Sequence, residues 1–259
     1  MITNIETILK QAIGGCTDTI TTTAHRRVRF SYPVDKETAA RLLSTAYRVE
    51  VEARGMELQQ TPEVLQYIWA VAEYLTNPAR KPSLLLYGGR PGTGKTTTVR
   101  AIIRMAKELR GSFAFAGIDR LQMQLQRCLT DTERREFERR ETAVKVPTYY
   151  TALDIARLFQ ATDPQERQKY RTKYNGLADC YFLAVDDMGT EPTRVNDYGN
   201  EFLPLVELIS RRYDKQLPTI ITSNLGGDAI AERYGERIAD RLREMCETIA
   251  YNSAESFRG

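Results

Sequence analysis

Gly89-Arg90-Pro91-Gly92-Thr93-Gly94-Lys95-Thr96 restricts the architecture more than any other stretch of this chain. The spacing G-x-x-x-x-G-K-T is that of a phosphate-binding loop, which requires a strand before it and a helix after it. Both are legible. Ser83 to Tyr87 (SLLLY) is a short apolar run, and Thr96 to Leu109 repeats apolar residues at helical spacing. The expected fold is therefore α/β, with three layers around a parallel sheet. The glycines allow the backbone to wrap a phosphate chain with N–H groups turned inward, and the helix N-terminus adds partial positive charge. Gly89, Pro91, Gly92, Thr93, Gly94, Lys95, Thr96 and Thr97 are the expected nucleotide contacts. Lys95 should reach the β- and γ-phosphates, and the Thr96 hydroxyl should ligate Mg2+.

The remaining composition narrows the class. A chain of 259 residues with 42% hydrophobic content can bury a real core, so a disordered tail is excluded. Its net charge of +3 permits contact with nucleic acid without requiring it. Cys16, Cys128, Cys180 and Cys246 lie far apart with no C-x-x-C spacing, which argues against a zinc site and a disulfide framework. The single histidine, His25, has no ligand-spaced partners. No signal peptide opens the chain and no apolar stretch is long enough for a membrane span, so a cytoplasmic location is expected.

Ahead of the loop, Ile5 to Ile13 reads as a short helix broken by Gly14-Gly15, followed by the basic cluster His25 to Arg29. Asp35 to Ala53 has helical spacing. Pro62 to Leu75 is a second helix, with Val64, Ile68, Val71 and Leu75 on its core face. Residues 1–59 are expected to form a helical N-terminal extension that binds a partner, and 60–259 the nucleotide-binding core. Beyond the loop helix, Ser112 to Ala116 (SFAFA) and Val146 to Thr151 (VPTYYT) have strand character. Between them, near 119–145, acid-first i,i+4 pairs (Asp131/Arg135, Glu136/Arg140, Glu141/Lys145) predict a solvated helical insertion.

Three further segments carry chemistry. Tyr181 to Asp187 (YFLAVDD) is an apolar strand ending in two carboxylates: Asp186 to hold Mg2+, Asp187 to polarise the attacking water. Thr219 to Asn224 (TIITSN) is a second such strand. If it lies between the other two, Asn224 faces the γ-phosphate. Tyr234 to Leu242 (YGERIADRL) carries Arg237 and Arg241, either of which would stabilise transition-state charge if delivered to a neighbouring subunit's γ-phosphate.

Taken in order, the loop, VDDMGTEP, SRRYDKQ, PTIITSNL and YGERIADRLREMC resemble the AAA+ ATPases of the DnaC/IstB kind, which are helicase loaders and transposition helpers related to the initiator DnaA. The resemblance spans Ser83 to Arg258. It implies a P-loop AAA+ core without a C-terminal helical lid. Lys95 and Thr96 become the Walker A residues, Asp186 and Asp187 Walker B, and Asn224 sensor 1. Arg241 becomes the first candidate finger and Arg237 the second. Basic residues from Arg157 through Lys173 become candidates for contact with single-stranded DNA. The implied activity is Mg2+-dependent ATP hydrolysis, slow in the monomer and coupled to ATP-dependent self-association on DNA. The implied partner is a replicative helicase, or alternatively a transposase. The N-terminus lacks the cysteine-rich module of many relatives, and the 119–145 stretch is longer than that connection usually is. A small-molecule phosphotransferase would need an acceptor pocket and a lid. A non-hydrolysing ATP-gated scaffold on DNA is disfavoured by the intact Asp186 and Asp187.

Overall fold

The computed structural model describes residues 31–59, 61–88, 91–124, 145–161, 163–197 and 200–251, with backbone alone for 111–124, 196, 197 and 200. The expectations for Ile5 to Ile13, for His25 to Arg29 and for most of the charged insertion lie outside these residues.

Two helices precede the sheet. Helix α1, Lys36–Glu52, starts where the Asp35 carboxylate accepts from the Thr38 N–H at 2.7 Å. Ala39, Ala40, Leu43, Ala46 and Tyr47 recur at i,i+3/i+4 and are all buried. Helix α2, Pro62–Thr76, has Thr61 as N-cap and Pro62 in its first turn. Its four expected core residues, Val64, Ile68, Val71 and Leu75, are buried. Strand β1, Ser83–Tyr87, leads into the loop, and helix α3, Lys95–Gln124, leaves it. Then come β2 (Thr148–Thr151), α4 (Ala152–Arg157), α5 (Pro164–Asp179) and β3 (Leu183–Met188). A small antiparallel pair, β4 (Val195–Asp197) and β5 (Asn200–Phe202), precedes α6 (Pro204–Asp214). The chain continues through β6 (Thr219–Ser223), α7 (Gly227–Tyr234), α8 (Glu236–Met245) and β7 (Cys246–Ala250).

The main sheet is parallel throughout, in the order β2-β3-β6-β1-β7. Its central strands β3, β6 and β1 are buried almost along their length because both faces are covered, whereas the edge strands β2 and β7 are partly exposed. The strand period sorts successive side chains into two cores. Leu84 and Leu86 of β1, with Ile220 of β6 and Ala184 of β3, pack against α1, α2 and α3. Leu85, Ile221, Leu183 and Val185 pack against α4 to α8 on the opposite face. This is the expected three-layer α/β architecture. Helices α1 and α2, on either side of residue 60, share the first of these cores.

One expectation is overturned. Ser112 to Ala116 is not a strand: α3 runs through it to Gln124. Extending a nucleated helix adds a hydrogen bond per residue, and the sheet edge beside β3 is already taken by β2.

A buried arginine ties the layers together at the end of the sheet away from the loop. Arg212 of α6 is 1% exposed. Its Nη1 donates to the carbonyls of Leu177 at 2.8 Å and Cys180 at 2.9 Å, Nη2 to Pro218 at 2.8 Å, and Nε to Thr219 Oγ1 at 2.8 Å. The guanidinium thus joins the end of α5 to the entries of β3 and β6. Arg212→Met should leave these acceptors buried without their donor. The expected loss is about 3–5 kcal/mol of stability, read from urea midpoints. A loss below about 1 kcal/mol would show that water replaces the guanidinium.

Candidate active site

Because the strands are parallel, the loop after β1, the two acids of β3 and the end of β6 emerge at one edge of the sheet. Ligands of open α/β sheets bind in the crevice beyond the carboxyl ends of the strands. A cleft of about 210 Å3 lies here, lined by Pro91, Gly92, Thr93, Gly94, Lys95, Thr96 and Thr97 together with Asp187, Thr190 and Asn224. Of the expected nucleotide contacts, Gly89 lies outside the described residues and the other seven are all present. Strand β6 lies between β1 and β3, the arrangement that sets Asn224 opposite the loop.

The loop glycines are needed by geometry. Gly92 and Gly94 have φ of 89° and 90°, where any other residue is strained. A Cβ on Gly94 would also stand 2.3 Å from the Tyr47 hydroxyl. Lys95 is buried, and its ammonium donates to the Gly88 carbonyl and to Thr93 Oγ1, each at 3.1 Å. Burial lowers its pKa, opposed by the carboxylates of Asp187 and Asp186.

The two acids sit at a β-bulge. Val185 pairs with Ile221 and Met188 with Ser223, so Asp186 and Asp187 together face Thr222. Bulges of this kind redirect side chains at functional sites. Asp187 is left-handed, with φ of 57°. Thr222 secures the bulge: its hydroxyl accepts the Asp187 N–H at 2.8 Å and donates to Asp186 Oδ1 at 2.5 Å. Thr96 Oγ1 also donates to Asp186 Oδ1, at 3.2 Å, which joins the loop to β3. Asp186 Oδ2 accepts from the Tyr149 hydroxyl at 2.7 Å. Burial first, and then the adjacent carboxylate, push the Tyr149 phenol up to about 12, so it remains a donor.

The residues fit a magnesium–nucleotide complex. The donor set near the loop is hard oxygen, from Thr96 and Asp186. Among the described residues no cluster of three or more His, Cys, Asp or Glu is placed to hold a metal. Mg2+ is typically held by one or two protein oxygens together with substrate phosphates and water.

Neither arginine expected as a finger lines the cleft. Arg241 is 13% exposed at its side chain, paired with Asp214 at 3.5 Å and stacked 5.0 Å from the Tyr213 ring centroid. Arg237 is exposed, two residues after the corner at Gly235. Lys169, Arg171 and Lys173, among the expected DNA contacts, are exposed on α5, while Arg157 pairs with Asp154 at 3.6 Å.

Sequence reasoning missed the opposite wall of the cleft, formed by Tyr47 and Val51 of α1 and by Arg54 and Met56 just beyond it. Arg54 Nη1 donates to Thr97 Oγ1 at 3.2 Å. No motif marks these residues, which precede the loop by more than thirty positions. Thr222 and Tyr149 were also missed, although Thr222 stands inside the TIITSN run.

No protein-family model matches this chain, and neither does any curated protein. Among solved structures it is similar to the DnaC helicase loader at 19% identity, over 74% of this chain and 92% of that one, with a TM-score of 0.46. A structure of DnaI is 18% identical over 89% and 97%, also at 0.46. AMPPCP-bound DnaA from Aquifex aeolicus is 16% identical over 78% of this chain and 50% of that one, at 0.44.

Proposed function

We propose that this chain is a Mg2+-dependent ATPase that assembles on single-stranded DNA and loads a replicative helicase. One observation carries the ATPase reading: the loop, Asp186, Asp187 and Asn224, scattered over more than 130 residues of sequence, meet at one end of the sheet. Lys95 gives up its bonds to Gly88 and Thr93 and neutralises the phosphate chain. Thr96 and Asp186 would hold the cation, which would supply positive charge against the phosphates during transfer. Asp187 and Asn224 orient the attacking water. Tyr47, Val51, Arg54 and Met56 offer the aromatic, aliphatic and cationic contacts a nucleoside needs.

Self-association would complete the site: Lys95 and Arg54 are the cations among the described lining residues, and a neighbour's arginine would add positive charge at the γ-phosphate. Arg237 is the better candidate because it is exposed, whereas Arg241 is committed to Asp214 and Tyr213. The ordered motif set supports an ATPase of the helicase-loader or transposition-helper kind, of which the loader is the first reading, and exposed Lys169, Arg171 and Lys173 support contact with DNA. Partner binding is assigned to the N-terminal extension of residues 1–59, whose helix α1 also forms a wall of the cleft.

Lys95→Ala should weaken Mg-ATP binding about 30-fold or more, the equivalent of about 2 kcal/mol for removing a buried charged contact. Titration calorimetry on the folded variant measures this, and unchanged affinity would overturn the site assignment. Ultracentrifugation with ATP and single-stranded DNA tests assembly: a strict monomer with both ligands would refute the loader reading.

A further inference from the structure

The carboxylate of Asp186 is held by three hydroxyls, and only two of them come from the strands and loop that build the cleft. Thr222 and Thr96 both donate to Oδ1. Oδ2 is held by Tyr149 alone among these, at 2.7 Å. Tyr149 stands on β2, the outermost strand, in register with Ala184 of β3. Its ring lies beneath Arg100 of α3, with the guanidinium carbon 6.0 Å from the ring centroid. The phenol also lines a second cleft, bounded by Glu50, Arg100, Ile103, Arg104, Lys107 and Glu108. Tyr149 is therefore outside the nucleotide cleft, yet it bonds directly to the residue that cleft needs for its cation.

We propose that Tyr149 is a positioning residue for the metal–nucleotide complex, its O–H fixing Asp186 in the orientation that presents Oδ1 beside Thr96. This rests on the reading of Asp186 as a Mg2+ ligand. Thr222 and Thr96 hold Oδ1 on one side, and the Tyr149 O–H on Oδ2 restrains the carboxylate about its terminal torsion from the other. Hydrogen bonds to ionised acceptors are about twice as strong as neutral ones, and partners that orient a metal ligand are typically worth 10–100-fold in metal affinity. Arg100, its guanidinium carbon 6.0 Å from the ring centroid, flanks Tyr149 on the side of the second cleft.

Tyr149→Phe removes the O–H and keeps the ring under Arg100, so the fold should be retained. The probe is Mn2+, titrated by electron paramagnetic resonance against protein saturated with ADP, a product that needs no turnover. The variant should bind Mn2+ about 10–100-fold more weakly, with metal-free ADP affinity in EDTA unchanged. In an Asp186→Asn background the same substitution should add little, because the two residues act through one contact. Mn2+ affinity within about twofold of the parent protein, with Asp186→Asn impaired, would overturn the role of Tyr149 alone. An Asp186→Asn protein with parental Mn2+ affinity would overturn the ligand assignment and this inference together. A loss from Tyr149→Phe that persists in full in the Asp186→Asn background would show that the phenol acts by another route.

Discussion

Asp187→Asn should bind ATP with unchanged affinity and turn it over about 10²–10⁴-fold more slowly, the range removed with a general base. The backbone makes this a clean test. Asp187 is held at φ of 57°, a conformation that asparagine tolerates as well as aspartate does. Its N–H remains bonded to Thr222, so the bulge and the Asp186 carboxylate stay in place. The substitution therefore removes the charge while the backbone of the bulge keeps its bond to Thr222. A loss confined to kcat, with binding intact, identifies an interaction made in the transition state. Turnover at the parental rate would eliminate Asp187 as the group that activates water. Weakened ATP binding would instead place its charge against the phosphates or the cation.

Arg237→Ala should also bind ATP normally and hydrolyse it about 10³-fold or more slowly in the assembled state, the lower end for loss of an arginine finger. The mixing experiment separates action between subunits from action within one. Lys95→Ala protein cannot use its own site but carries an intact Arg237. Added to Arg237→Ala protein, it supplies the missing charge to a competent neighbour, and activity should return in part. No rescue at any mixing ratio would mean that the arginine acts within its own subunit. The same mixture made with Arg241→Ala orders the two residues. Arg241 is held by Asp214 and Tyr213, so its removal should loosen the contact between α8 and α6 rather than leave a stable, rescue-competent protein. A stable Arg241→Ala protein that is rescued, beside an Arg237→Ala protein of full activity, would return the role to Arg241, as the motif resemblance implies.

These tests divide along the line between sequence and structure. Local elements were legible wherever spacing and capping agree. Asp35 and Thr61 cap helices whose apolar faces repeat at the helical period, and SLLLY and TIITS, short runs in front of turn and loop residues, form buried central strands. The loop was readable from its own spacing, whereas the two acids and Asn224 took their reading from the presence of the loop and from their order along the chain. SFAFA was misread because a short apolar run carries no signal to separate a strand from an extended helix.

The sequence by itself determined the α/β fold class and proposed the loop and the acids as a site, since each of these segments is a short local pattern in the chain. Tertiary structure alone decided the strand order that brings Asn224 between the loop and Asp187. It also decided that α1 walls the cleft with Tyr47 and that Tyr149 reaches Asp186 from the edge strand. It further decided that Arg241 packs against Tyr213 and Asp214 while Arg237 is exposed. Each of these depends on which long-range surfaces pack together, and packing is set by shape and burial across the whole sheet, which no local spacing encodes.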